Sequence, residues 1–405
     1  MKAAIIIEHV EREYLFALIL KKYLNSVGTS VIIAHAISDF RLVKTFEPEL
    51  VFLPYFYRVD DFSTSPFLEI KSVKLFLSLS WEQFFNEVQY SSKVPKSIPS
   101  NLIILCWSNS WASSLSHMGF SLENIRQIGH PMWSILWQLP PAQANNNLFV
   151  LKKKIYFENL KWLDTSSKHV RALNISDAEL SKLGELQRIV VETLRQLNLN
   201  NFKVKVRPSS TKQDLVSMRK LIPNANFVRG FPLIHYLKSS THSFGEFSSS
   251  LIDSSLMQVP TYAIGLDRIP QILKFTWHDF FKPVNFIDGR KVDNLSEIDK
   301  VRLLSYLHKE SILNANYFDD LWKLILSKGL HPNQSSIFEK ISKRLMVYSN
   351  QLWRLLFSVK ILRKNRSLVN SLVLDPSTHS QDFIGIVRDF VYRLYAHAIY
   401  RRIIH

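Results

Sequence analysis

Several stretches of this 405-residue chain set reactive or binding side chains directly after short apolar runs. Glu8 and His9 follow Ala3–Ile7 and lead into Glu11-Arg12-Glu13. A carboxylate in such a place serves as general base or nucleophile once its surroundings tune it, and Arg12 supplies a fixed cation. Ser80-Trp81-Glu82-Gln83 follows Val73–Leu79; the flat apolar face of Trp81 beside the hydrogen-bonding Glu82 suits a polar ring such as a sugar. Gly129-His130-Pro131 brings an imidazole to the end of another run. Glu158 follows Lys154–Phe157, a second carboxylate in the same kind of place. Arg207, after Phe202–Val206, is suited to clamping a phosphate or carboxylate through two parallel bonds.

The densest stretch runs from Ser239 to Gly265 and reads SSTHSFGEFSSSLIDSSLMQVPTYAIG. A short strand carries His242 and Ser243, and a serine run then opens a helix. Free backbone N–H groups at a helix start, with the hydroxyls of Ser248 and Ser249, make a site for a diphosphate or a nucleotide monophosphate. Asp253, one turn inside, is placed to hold a ribose or sugar hydroxyl. Each of these stretches has a plainer reading. The acids near Glu8 complement a helix macrodipole, Trp81 packs a helix start, Pro131 sets a rigid turn, and Ser248 is an N-cap.

The elements that must position these residues alternate. Apolar runs at Ala3–Ile7, Val31–Ala34, Leu50–Leu53, Val73–Leu79, Leu102–Cys106 and Ile125–Gly129 read as buried parallel strands, with helices between them. The polar, proline-bearing Leu139–Asn147 reads as a linker. A second series then follows: strands at Lys154–Phe157, Phe202–Val206, Asn226–Val228, Thr241–Phe244 and Thr261–Ile264, and helices at Asp177–Leu197, Thr211–Leu221 and Ser249–Met257. From about Ser296 the pattern is helical. The expected organisation is an α/β chain of two Rossmann-like domains, over 1–138 and 150–295, followed by a basic helical extension over 296–405. In such sheets ligands bind beyond the carboxyl ends of the strands, where the residues above fall.

Bulk properties narrow the classes. Net charge is +17 and the pI is near 9.7, a field that draws anions. There is one cysteine, Cys106, so no intrachain disulfide forms and a reducing compartment fits. No apolar run reaches the ~20 residues of a spanning helix. The sequence has no P-loop, GxGxxG, HExxH or paired CxxC, and Asp60-Asp61 lacks the third acid of a metal-binding motif. No metal ligand set is assigned. Nucleic-acid recognition is disfavoured, because no RRM, KH, OB or helix-turn-helix pattern accompanies the charge.

In order along the chain, IEHVERE, SWEQ, ILCWSNSWASSLSHMGFSLENIRQIGHP, KIYFENLKW, KVRPSS and SSLIDSSLMQVPTYAI resemble bacterial surface carbohydrate biosynthesis proteins of GT-B architecture. Those are distantly akin to CDP-glycerol glycerophosphotransferases and capsule-type Kdo transferases. The resemblance covers roughly residues 1–265. It implies that the two Rossmann-like domains face each other across a cleft, 1–138 as the acceptor domain for a glycan or lipid-linked precursor and 150–295 as the nucleotide-donor domain. In that pattern the strand-end Arg-Pro is commonly followed by His-Pro, where this chain has Ser209-Ser210, and the helix acid, usually Glu, is Asp253.

Beyond this, Lys340–Arg366 carries eight basic residues and no acid, with Trp353 and many leucines between them. This is the pattern of a basic amphipathic helix at an anionic membrane surface, or of a helix bracing two domains. The resulting expectation is a metal-independent glycosyltransferase, cytoplasmic and peripheral at the inner face of the cell membrane. It moves a sugar from a nucleotide-activated donor to a surface polysaccharide or lipid-linked acceptor. Alternatives are a CDP-alcohol-dependent polyol phosphate transferase and a non-catalytic scaffold of polysaccharide assembly. Candidate catalytic residues are Glu158, Glu8 and His130. Arg207, His242, Ser248, Ser249 and Asp253 are the donor-binding candidates, and Arg12, Trp81 and Glu82 the acceptor-binding ones. No cofactor is expected besides the nucleotide sugar as substrate.

Overall fold

The computed structural model describes residues 1–8, 10–36, 39–56, 64–81, 98–117, 119–139, 146–150, 177–197, 202–205, 216, 219–220, 222–223, 225–228, 233–246, 248–269 and 276–332. These divide between two compact units. The described parts of the first lie within Met1–Gln83, Ser91–Ser134 and the segment from Asn314 onward; those of the second lie within Ile135–Leu313.

The first unit is built on a six-stranded parallel sheet. Its strands are β1 (Lys2–Ile7), β2 (Ser30–His35), β3 (Leu50–Leu53), β4 (Leu75–Ser78), β5 (Leu102–Cys106) and β6 (Ile125–Gln127), in the order β2-β1-β3-β4-β5-β6. Every residue of β3, β4 and β5 is buried, as continuous apolar runs require when helices cover both faces. Helix α1 (Val10–Ser26) packs on β1 and β2 and buries Tyr14–Leu18, Leu20 and Leu24. Helices α2 (Phe40–Phe46), α3 (Asn109–His117) and α4 (Trp133–Leu136) follow β2, β5 and β6.

A late segment completes this unit. Helix α8 (Tyr317–Ser327) lies against α1: Phe16 stacks on Phe318 with centroids 6.0 Å apart, and the Tyr23 hydroxyl donates to Asp319 Oδ1 at 2.8 Å. Asn314 anchors its approach. Its backbone N–H donates to Ser134 Oγ, and its Nδ2 donates to the Ile128 carbonyl and to Asp320 Oδ2.

The second unit carries a seven-stranded sheet in the order β12-β13-β11-β10-β7-β8-β9. Its strands are β7 (Asn146–Val150), β8 (Phe202–Lys205), β9 (Asn226–Val228), β10 (Ser240–Gly245), β11 (Thr261–Ile264), β12 (Phe281–Ile287) and β13 (Arg290–Ile298). The strands from β9 to β11 are parallel. Helix α5 (Asp177–Leu197) covers one face. Its Leu186, Ile189, Val190 and Leu194 join Val204, Phe244, Ile264, Val292 and Leu295 in the core. Helices α6 (Leu233–Leu237) and α7 (Ser250–Leu256) pack on β10. Gly265 has φ +63°, and an added Cβ would collide with Leu186, so the chain turns out of β11 hard against α5. Both units are therefore Rossmann-like α/β structures.

Two sequence readings are corrected here. Leu139–Asn147, read as a linker, runs into β7, which pairs with both β10 and β8. Backbone partners on both sides recruit the Asn146-Asn147 pair into a central strand despite its turn-like composition. The residues from 281 to 298 form an antiparallel hairpin that extends the sheet beyond β11, which the sequence reading did not anticipate. Its turn, Asp288-Gly289, has φ of 49° and 75°, the left-handed pair that a two-residue hairpin needs. The strand expected at Lys154–Phe157 and the basic segment from Lys340 lie outside the described residues.

Candidate functional site

In the first sheet β1 has β2 on one side and β3 on the other, so chain direction switches between β1 and β3. A crevice opens at such a switch, beyond the strand ends. Glu8 follows β1 there and Tyr55 follows β3, and the Tyr55 hydroxyl donates to Glu8 Oε1 at 3.1 Å. The backbone of Glu8 is held from two sides. Its N–H donates to Glu13 Oε2 at 2.7 Å, and its carbonyl lies 3.1 Å from His35 Nε2. Glu13 thus reaches back over the start of α1 and satisfies a donor that precedes the helix ladder.

Glu13 is fully buried. Its other oxygen takes the Nε and Nη2 of Arg12 at 3.1 and 2.6 Å, so the enclosed carboxylate has a paired cation. Asp39, also buried, accepts from the His35 backbone at 2.7 Å. Glu8 and Arg12, both chosen from sequence, are brought together. Glu13, His35, Asp39 and Tyr55 complete the group. Glu13 stood in the same run, but His35 ends β2, Asp39 follows it and Tyr55 follows β3, a convergence with Glu8 that no local spacing reveals.

Further along the same sheet edge, aromatic rings gather. Ser80 leaves β4 with φ 50°, a strained conformation for a non-glycine residue, and its hydroxyl lies 3.1 Å from Ser78 Oγ. Trp81 follows, its backbone N–H donating to the Pro54 carbonyl at 3.2 Å. The Trp81 ring meets Phe16 edge-on at 5.2 Å and lies 6.5 Å from the His130 ring. His130 is sandwiched: its imidazole stacks on Trp133 at 4.1 Å and 7°, with Trp107 at 4.0 Å.

His130 Nδ1 accepts the backbone N–H groups of Met132 and Trp133, at 3.1 and 3.0 Å, and so caps α4. A ring nitrogen that accepts bears no proton, so the neutral imidazole carries its proton on Nε2. Burial among indoles holds the His130 pKa well below the usual histidine value. His130, a catalytic candidate from sequence, is therefore a neutral donor in this structure, because its basic nitrogen is committed to the backbone.

In the second sheet the switch lies between β7 and β10. Glu246 follows β10 at that point and is fully buried. The serines of this stretch bond one another and tie the helix to β10. Ser243 Oγ lies 2.8 Å from Ser254 Oγ, Ser254 Oγ donates to the Ser250 carbonyl at 2.8 Å, and Ser250 Oγ donates to Ser248 Oγ at 2.9 Å. The helix start is tighter than expected. Ser250 N–H reaches Ser248 Oγ at 3.4 Å, Leu251 N–H donates to the Ser248 carbonyl, and the N–H groups of Ile252 and Asp253 donate to the Ser249 carbonyl. The backbone donors expected to face an anion are thus taken up by the first turn itself, and Ser249 makes no side-chain cap.

Ser249 is exposed, and Asp253 is half-buried one turn on. His242 stands apart. Strand alternation puts it on the face opposite Ser243, where its ring lies near Phe244 and Tyr262 and its Nε2 is 3.9 Å from Asp288 Oδ1. Lys205, at the tip of β8, is buried with its Nζ 5.8 Å from the Tyr236 ring centre. Glu246 and Lys205 were not singled out from sequence, although a charged residue ending an apolar strand is a readable signal. Glu82, Glu158 and Arg207 lie outside the described residues. Among the described residues no group of three or more His, Cys, Asp and Glu is arranged to hold a metal ion, and no helix is long and apolar enough to cross a membrane.

No family model matches the chain, and no curated protein matches it. Among solved structures it is similar to the UDP-GlcNAc 2-epimerase of Methanocaldococcus jannaschii, at 9% identity and TM-score 0.44, covering 81% of this chain and 100% of that one. It is also similar to the wall teichoic acid polymerase TagF, at 8% identity and TM-score 0.45 over 80% and 88% of the two chains. A third similarity is to the lipopolysaccharide outer core galactosyltransferase WaaB, at 12% and 0.34 over 81% and 100%. These are likenesses of chain course at low identity; the fold assignment rests on the strand orders and pairings given above.

Proposed function

We propose that the chain is a glycosyltransferase that moves a sugar from a nucleotide-activated donor to a surface polysaccharide or lipid-linked acceptor. The observation that carries this reading is Glu8. It is a carboxylate at the switch point of a parallel sheet, with one oxygen held by Tyr55 and its backbone clamped by Glu13 and His35. A carboxylate fixed in that way is suited to take the proton of an acceptor hydroxyl as its oxygen attacks the donor sugar. The nucleotide then leaves with the bonding pair. Arg12, Trp81 and Glu82 serve the acceptor in this reading. On the second unit Arg207, with the hydroxyls of Ser248 and Ser249, serves the donor phosphate, and Asp253 a donor hydroxyl. Glu158 is the other carboxylate available as base or nucleophile. His242 is the weakest member of the donor set, because it lies on the opposite face of β10 from the serine helix.

The test is a thermal-shift screen of the full chain with CMP, UDP, GDP and CDP, repeated on Arg207→Ala and Asp253→Asn. One nucleotide is expected to raise the parent's melting temperature and neither variant's. No response to any nucleotide would remove the transferase reading. Product analysis with the responding donor then distinguishes a glycosidic bond from a phosphodiester.

A further inference from the structure

The tips of β4, β5 and β6 hold polar groups that proton transfer at Glu8 does not use. Trp81 is 7% exposed, and its indole Nε1–H is buried without a hydrogen-bond partner among the described residues. Buried N–H groups in native proteins are nearly always paired, so an unpaired one in an enclosed aromatic setting points to a missing acceptor. His130, 6% exposed, has its Nδ1 occupied by two backbone N–H groups, which leaves the Nε2–H as its remaining polar group. The two rings lie 6.5 Å apart, with Trp107 and Trp133 packed on the imidazole.

We propose that Trp81 Nε1 and His130 Nε2 form a two-donor subsite, walled by indole rings, for the oxygens of an uncharged pyranose. The chemistry selects this ligand. Both donors are neutral, so the pair offers hydrogen bonds without a balancing charge, which suits hydroxyl or amide oxygens better than a carboxylate. The Trp81 ring, which meets Phe16 only edge-on, offers apolar contact to the C–H side of a sugar ring. The constrained imidazole cannot turn to present an acceptor without uncapping α4, which makes the subsite a donor of fixed polarity. That the bound sugar is the transfer acceptor rests on the reading proposed above; the two-donor geometry itself does not.

The experiment measures binding of methyl glucoside, methyl galactoside, methyl N-acetylglucosaminide and methyl glucuronide to the full chain, without nucleotide, by tryptophan fluorescence and saturation-transfer NMR. Trp81→Phe removes one N–H and keeps a ring. His130→Asn keeps an acceptor near the Nδ1 position, and with it the helix cap, but removes the Nε2–H. Each variant is expected to keep its melting temperature close to the parent's and to weaken binding of a neutral glycoside on the order of threefold to tenfold, the share of one neutral hydrogen bond. The glucuronide is expected to bind more weakly than the glucoside. Absence of saturable binding by any glycoside, or unchanged affinity in both folded variants, overturns the inference. Sugar binding without any nucleotide response would leave the subsite standing and remove the transferase reading. Nucleotide-dependent transfer with unchanged acceptor KM in both variants would do the reverse.

Discussion

At the switch point of the first sheet, charged side chains do the holding: Arg12 on Glu13, Glu13 on the Glu8 backbone, and Asp39 on the His35 backbone. At that of the second sheet, hydroxyls do the holding, from Ser243 to Ser254 and from Ser250 to Ser248. The contrast has a consequence. A charged network fixes one carboxylate, Glu8, in a defined pose and loses much if a member is removed. A hydroxyl ladder docks a helix on a strand at low cost per rung and leaves exposed hydroxyls on its rim. The first arrangement is suited to a reacting group and the second to a binding surface.

The largest effect expected from this contrast is on turnover. Glu8→Gln keeps size and the acceptor for Tyr55 but removes the base. Transfer is expected to fall by roughly 10²–10⁴-fold, while the urea midpoint stays near the parent's. A variant with undiminished kcat would reassign the base. Next comes Glu13→Ala, which strips the partner from the Glu8 backbone and from Arg12. It is expected to cost about 3 kcal/mol in urea unfolding; a loss below ~1 kcal/mol would mean the charged network is dispensable.

A smaller cost, about 1–2 kcal/mol, is expected for Ser254→Ala, which leaves the Ser243 hydroxyl unpaired. Adding Ser243→Ala should cost less than the sum of the single changes, because both hydroxyls of one bond are then gone. Strict additivity would break the ladder picture.

The smallest effect is in pH. His130 is held neutral by burial in the fold, where its neighbouring rings, Trp81, Trp107 and Trp133, carry no charge, whereas in the unfolded chain it titrates near 6.5. Below about 6.5 the unfolded chain binds a proton that the fold refuses, so stability falls as pH falls. The limiting slope from this group is about 1.4 kcal/mol per pH unit. His130→Asn should flatten the parent's stability profile between pH 7 and 5, read from urea midpoints; an equal slope in both proteins would show that His130 is protonated in the fold.

Much of the scaffold was legible before the structure. Leu50–Leu53, Leu102–Cys106, Asn226–Val228 and Thr261–Ile264 match their strands residue for residue, and Asp177–Leu197 matches its helix, because apolar runs and a 3.6-residue period report burial directly. The β12–β13 hairpin was missed. Its strands are mostly exposed, with buried residues separated by two or more exposed or half-exposed ones, so they lack the two-residue alternation of a strand, and its Asp288-Gly289 turn signal was passed over. The candidate site was legible only in part. Glu8, Arg12, Trp81 and His130 were found because each sits after a strand. His35, Asp39 and Tyr55 carry no such local mark in combination, since they meet Glu8 only through the pairing of β1 with β2 and β3.

Composition and periodicity alone determined that this chain forms buried parallel strands with helices between them, because side-chain burial is written residue by residue. Tertiary structure alone decided strand order, and with it which carboxylate stands at a switch point. It also decided the state of His130: Met132 and Trp133, its near neighbours in sequence, supply two backbone N–H groups and one indole, but Trp81 and Trp107 reach the imidazole only because β4 and β5 bring them there.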